Sequence, residues 1–277
     1  MRSGHAGWHG SVLKREKRMS LFIDPDVRMM SELARYESSI VEVANTERID
    51  LAGKLEVAKA EIARELERFF ISLTNYDSTQ ISWRSPALRL AVENVVVTDA
   101  LRQWHVYQTL AATYRDAYHT QLNSRYQDQY AVYTKLVTQA EGVCLDAGVG
   151  IVFNPIRSPG APVVSTGGAA LSGGGWFLCT SWTGAYGSEG APGEVVQYPA
   201  PAGLVISVLT ENPPDHATGW NLYAGHTETS MGLQNSVPNA LQTAWDLPPA
   251  GFRSGRPPGR GQKPDQLLMR RRILRRG

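Results

Sequence analysis

Ser181, Asp215 and His216 are the residue types of a nucleophile, an orienting carboxylate and a general base. No Gly-x-Ser-x-Gly turn presents Ser181, and Asp215-His216 follows Pro213-Pro214 in what reads as a turn, so acyl-transfer chemistry is not predicted. Gly167-Gly168 and Gly173-Gly174-Gly175 resemble phosphate loops in composition. No Walker lysine follows them, and no helix pattern follows to point backbone amides at an anion, so they read as a flexible loop. Glu61, Glu65 and Glu67 gather carboxylates within two helical turns, but a metal site needs histidines beside them, and His105 and His119 belong to another helix. Those glutamates read as a solvated face. Cys144 and Cys179 have no CxxC spacing, which predicts buried free thiols rather than a disulfide framework or a zinc site. The chemistry-bearing residues therefore predict no enzyme, no cofactor and no metal.

The elements that would position any site begin with a long helix, expected from Pro86 to Tyr118 with Ser85 as its cap. Val97, Ala100, Trp104, Tyr107, Ala111, Tyr114 and Tyr118 recur at alternating spacings of three and four, one apolar stripe over several turns. Val97, Leu101, Trp104, Tyr107 and Tyr114 are the predicted helical core. Upstream, Asp24-Pro25 signals a helix start ahead of Met29, Leu33, Tyr36, Ile40 and Val43. A second helix is expected from Asp50, with Leu51, Leu55, Ala58, Ile62, Leu66, Phe69 and Leu73 on its inner face. After Asn123-Ser124, Tyr126, Tyr130, Tyr133, Val137, Ala140 and Cys144 mark a further helix ending at Gly148. Residues 24–147 thus read as an antiparallel helical bundle of about four helices, preceded by a flexible basic arm over residues 1–23.

Composition then shifts. Of 26 glycines only five precede Gly148, and of 16 prolines only Pro25 and Pro86 do. The Trp176–Trp182 alternation, the β-branched run Leu204–Thr210 and Trp220-Asn221-Leu222-Tyr223 read as strands between turn-forming clusters, which predicts a β-sandwich over residues 148–250. The fold class is α+β, multidomain. Charge divides in the same way: residues 151–250 hold one cation against six carboxylates, whereas residues 251–277 hold nine cations against Asp265. That last stretch, rich in Pro, Gly and Arg, is expected to be a flexible tail whose removal after Phe252 leaves the fold's stability unchanged. No apolar run of membrane length and no signal-peptide pattern occurs, so a chain made in the cytoplasm with no membrane partner is expected.

This order of helices, the amphipathic stretch Glu56-Val57-Ala58-Lys59-Ala60-Glu61-Ile62-Ala63-Arg64-Glu65-Leu66, and Tyr114-Arg115-Asp116-Ala117-Tyr118 ahead of a Tyr-rich helix resemble the head-to-tail connector (adaptor) proteins of tailed bacteriophages. Thr218-Gly219-Trp220-Asn221-Leu222-Tyr223-Ala224-Gly225, followed by Leu233-Gln234-Asn235, resembles the fibronectin-type or Ig-like modules found in phage structural proteins. The resemblance implies a virion neck protein without catalytic chemistry. It would form a homo-oligomeric ring, commonly of about twelve copies, below the portal protein, meeting a tail or stopper protein and continuing the DNA channel. The expected portal-docking residues are Leu267, Leu268, Arg270, Arg271, Arg272, Ile273, Leu274, Arg275 and Arg276, where cations alternate with apolar anchors. A tail, baseplate or fibre protein is the first alternative; a DNA-binding packaging protein that uses the arginines on phosphates is the second.

Overall fold

A computed structural model describes residues 19–25, 29–76, 90–121, 124–167, 174–200 and 205–270. Among the described residues the fold is mixed α/β, with five α-helices in the N-terminal half followed by strands arranged in antiparallel sheets. The helices are α1 (Met29–Tyr36), α2 (Ile40–Glu47), α3 (Leu51–Tyr76), α4 (Asp99–Gln121) and α5 (Gln127–Ala147).

The long central helix exists but starts later than its periodicity suggests. Val95-Val96-Val97-Thr98 is a run of four β-branched residues, which favours extended backbone, and Val95–Val96 forms strand β1. The helix is capped by Thr98, whose Oγ1 accepts from Leu101 N–H at 3.3 Å. Val97 therefore precedes the helix, although its side chain still packs on the core. Ser85 and Pro86 lie outside the described residues. Once formed, α4 is enclosed. Trp104, Leu101 and Tyr107 pack with the C-terminal halves of α3 and α5, while Val106, Leu110, Tyr114 and Ala117 pack with α1, α2 and the start of α3. Tyr114 and Tyr133 stack at 5.4 Å, and Tyr36 meets Tyr107 edge-on at 5.6 Å.

The helix expected from Asp24 is split. Glu37 to Ser39 breaks it into α1 and α2, and the Ser39 hydroxyl donates to Glu37 Oε1 at 2.7 Å, a local bond that competes with helix continuation. Asp24 is spent on bonds outside the helix, and residues 26–28, which it was expected to cap, lie outside the described residues. It is buried, accepts from Leu21 N–H at 3.0 Å and Ser158 N–H at 3.1 Å, and so ties the N-terminal segment to the strand half. Burial pushes its carboxyl above the usual range, opposed by those two bonds and by Lys59. Residues 19–24 are consequently part of the fold rather than of a flexible arm: Leu21 bridges Val96, and Phe22 is buried against Ile62 and Trp104 in one cluster. Asp50 does cap α3, accepting from Ala52 N–H at 3.0 Å.

The remaining strands are β2 (Val149–Ile151), β3 (Val163–Gly167), β4 (Gly174–Gly184), β5 (Val196–Ala200), β6 (Val205–Leu209), β7 (Ala217–Gly225), β8 (Gly232–Leu233), β9 (Trp245–Asp246) and β10 (Gln266–Leu268). One sheet has the order β3-β6-β9 and another β5-β4-β7-β8. Period-two alternation on β4 sends Trp176, Leu178 and Trp182 to one face, where they meet Ile206, Val208, Trp220, Leu222 and Trp245 in a core shared by both sheets. Its other face carries Phe177, Cys179 and Ser181 beside Tyr223 and Met231. The third sheet, β1-β2-β10, belongs to the helices, because Val149 and Ile151 lie in the cluster around Trp104. The change of composition at Gly148 thus marks the end of α5, while the packing of the helical half continues through Ile151.

Trp104 is 2% exposed at the centre of that cluster. Trp104→Ala is expected to destabilise the protein by about 3–5 kcal/mol, the cost of emptying a large aromatic site. Denaturant unfolding measures it, and a change under about 0.5 kcal/mol, the level of a surface substitution, would contradict this placement.

Candidate functional site

The C-terminal segment does not hang free. Phe252 meets Trp176 edge-on at 5.3 Å, and Arg253 N–H donates to Gln234 Oε1 at 2.8 Å. Gln234 Nε2 returns bonds to the carbonyls of Arg253 (3.0 Å), Gly232 (2.7 Å) and Ala224 (3.2 Å), so one buried amide locks strands and tail together. Gly255 passes so close to β8 that any Cβ would collide with Leu233 O, which only glycine avoids. Further on, Met19 N–H donates to Arg260 O at 2.6 Å. Gln262 then accepts from Ile156 N–H at 2.7 Å and donates to Asn154 O at 2.8 Å. Asp265 accepts from Phe153 N–H at 2.8 Å, after which β10 pairs antiparallel with β2 and Arg270 N–H reaches Leu145 O at the end of α5. The expected flexible tail is therefore, over residues 251–270, a strap that runs from the strands back to the helices. Hydropathy missed it because its cohesion comes from backbone bonds and carboxamides rather than apolar side chains.

The strap is held by a polar hub on the outer face of β4 and β7. Glu189 Oε1 accepts from Ser181 Oγ, Tyr223 Oη (2.5 Å) and Asn221 Nδ2 (3.1 Å), and its Oε2 accepts from Arg256 Nη2 at 2.6 Å. The Arg256 guanidinium also lies 5.6 Å from the Tyr223 ring centroid. Burial by itself would raise the Glu189 carboxyl, but the donors Ser181, Tyr223, Arg256 and Asn221 outweigh it and hold the group below its usual 4.5. Burial and the same carboxylate push the Tyr223 phenol up.

Ser181, buried, thus serves Glu189, and Asp215 and His216 stand exposed in a turn; the three are not assembled as a catalytic set. His105 is buried and donates from Nε2 to Leu55 O at 2.9 Å, and Glu61 accepts from Gln108 at 2.6 Å. No group of three His, Cys, Asp or Glu side chains that could hold a metal occurs among the described residues. Both cysteines are buried and neither is in a disulfide, and burial pushes the Cys144 thiol up to about 12, so it stays protonated. No described helix is long and apolar enough to cross a membrane.

Of the expected docking residues, Leu267 is 49% exposed on β10, whereas Leu268 turns inward onto the helical core. Arg270 reaches Glu141 at 3.5 Å. Arg271, Arg272, Ile273, Leu274, Arg275 and Arg276 lie outside the described residues. Met269 is 55% exposed, and it covers Gly148 together with Leu267. Among the helical core residues, Leu101, Trp104 and Tyr114 are buried, and Tyr107 is half-buried. Comparison with known protein families and with curated proteins finds no match.

The hub makes the strap sensitive to acid. A carboxylate with a depressed folded pKa contributes stability that is present above its unfolded value and lost as pH falls through the folded one. Glu189→Gln is expected to cost about 1–3 kcal/mol at neutral pH and to speed hydrogen exchange over residues 253–261. The gap between wild type and variant should shrink on acidification from about pH 7 to about pH 3. A gap that stays constant across that range would show that the carboxylate's charge is irrelevant.

Proposed function

We propose that the chain is a structural virion protein, a head-to-tail connector that forms a ring below the portal and joins capsid to tail. The observation that carries this reading is the exit of the basic segment. β10 is the outer strand of its sheet, its other edge carries no described strand, and Leu267 and Met269 stand exposed beside it where the arginines begin. An open edge with apolar side chains and cations is a surface for another protein chain rather than for a small substrate. Leu268 is spent on the core, so the docking set reduces to Leu267, Met269, Ile273, Leu274 and the arginines around them.

Ring formation draws support from the helices. Val57 and Ile71 lie on one outer face of α3, and Val132 and Val143 on one outer face of α5, all exposed and at spacings that place each pair on a single stripe. The helices fit an antiparallel bundle. The strands fit an Ig-like sandwich: the pairings β3–β6, β4–β7 and β7–β8 follow those of strands B–E, C–F and F–G, with β5 beside β4 as C′ and Trp182 buried on the strand equivalent to C. The position of β9, entering late in the chain at the free edge of β6, departs from that pattern.

The test is the double substitution Leu267→Ser with Met269→Ser, which keeps the β10 backbone pairing. Stability should change by no more than about 0.5 kcal/mol per exposed site, while attachment of the purified protein to DNA-filled heads should be lost, as read by sedimentation and electron microscopy. If the double variant attaches as well as the parent, portal docking through this edge is wrong. If attachment instead tracks the number of arginines and weakens steeply with salt on naked DNA, the packaging alternative takes its place.

A further inference from the structure

A groove of about 370 Å³ lies between α3 and α5, floored by Trp104 and Gln108 of α4. Each of its acids already has a donor. Glu61 accepts from Gln108 at 2.6 Å, Glu65 from Arg68 at 2.6 Å, and Glu141 from Arg270 at 3.5 Å. Its donors are in surplus. The Trp104 indole N–H has no hydrogen-bond partner among the described residues although the residue is 2% exposed, in contrast to Trp220, whose indole donates to Ala240 O at 3.1 Å. A buried N–H without an acceptor is rare in folded proteins and costly to keep. Arg64 uses only Nε, on Ala60 O at 3.3 Å, and Arg115 approaches Asp116 Oδ1 through Nε at 3.7 Å, which leaves the terminal guanidinium nitrogens of both residues unspent at the groove.

We infer that this groove binds an oxyanion, a carboxylate or phosphate group drawn in by the guanidinium groups that border it and accepting from the Trp104 indole. A cation is disfavoured, since each carboxylate it would need is engaged and three guanidiniums border the space. Guanidinium forks match the paired oxygens of carboxylate and phosphate, and a donor inside a recess of restricted water access recognises charge more strongly than one on open surface. Ile62 and Val137 add an apolar wall, which suits an anion carried on a short hydrocarbon body. The site does not rest on the connector reading.

The experiment is a titration of the full-length, ¹⁵N-labelled protein observed at its tryptophan indole resonances, with the Trp104 signal identified by its loss in Trp104→Phe. Sodium phosphate and sodium acetate are added separately against sodium chloride at matched ionic strength. The expected result is a saturable shift of the Trp104 indole alone, half complete at about 1 mM, the range of a small anion held by a few bonds. The anion that saturates first identifies the group as phosphate or carboxylate. Arg64→Gln with Arg115→Gln, two substitutions on the groove's rim, should weaken that midpoint about tenfold while the other indole signals stay in place. A Trp104 resonance unmoved by either anion overturns the proposal, as does a shift of equal midpoint in the double variant.

Discussion

The enclosure of α4 is the constraint on which the rest of the molecule depends. A helix surrounded on all sides usually carries apolar residues all round, yet this one turns Arg102, His105, Gln108, Thr109, Thr113 and Asp116 inward or toward its neighbours. Each therefore requires a partner at a fixed height. Glu32 of α1 lies 3.6 Å from Arg102, the α3 backbone receives His105, Glu61 receives Gln108, and Lys54 pairs with Asp116. Thr109 and Thr113 return their hydroxyls to their own helix, at His105 O and Thr109 O. Apolar packing alone would tolerate a sliding α3. This ladder of polar partners sets its register, and with it the height of the α3 wall of the groove.

The charge layout of the chain has a structural meaning in the same terms. The strand half is acidic and the segment after it basic, and the Glu189–Arg256 pair is where the two meet at close range. On open surface such a pair would contribute little. Glu189 is instead largely enclosed and takes four donors, so the pair acts as a fixed point that sets where the strap crosses the sheet. Gly255, next to it, is the corresponding steric requirement: contact with β8 leaves no room for a side chain.

Where the sequence was legible, a single periodic pattern coincided with a single packing environment. α3 and α5 follow their three-four spacing almost to the residue, and Asp50 and Gly148 punctuate them as expected, Gly148 at φ +108° with its N–H on Cys144 O. The β4 alternation likewise reads directly as two faces. Two features were hidden because competing local signals occur in one stretch. Val97 fits the helical stripe of α4, but the β-branched run containing it decides for extended backbone. Around Glu37-Ser38-Ser39 the helical period of α1 continues into α2 across a break made by side-chain bonds. The hub and the strap were hidden for a different reason. Ser181, Glu189, Asn221 and Arg256 are unremarkable residues far apart in sequence, and nothing in their spacing foretells that they converge.

The pairing of β10 with β2 is flanked by the bond from Phe153 N–H to the Asp265 carboxylate, whose partners are 112 residues apart. On the ribosome, α1 to α5 and the strand half emerge well before the segment that closes the β1-β2-β10 sheet and bonds Met19. Closure of that sheet therefore waits on the strand half rather than preceding it. A chain cut short before β10 would keep much of its secondary structure but expose Val149, Ile151 and the end of α5. Such copies thus carry an uncovered apolar surface, a difference that cellular proteolysis can read.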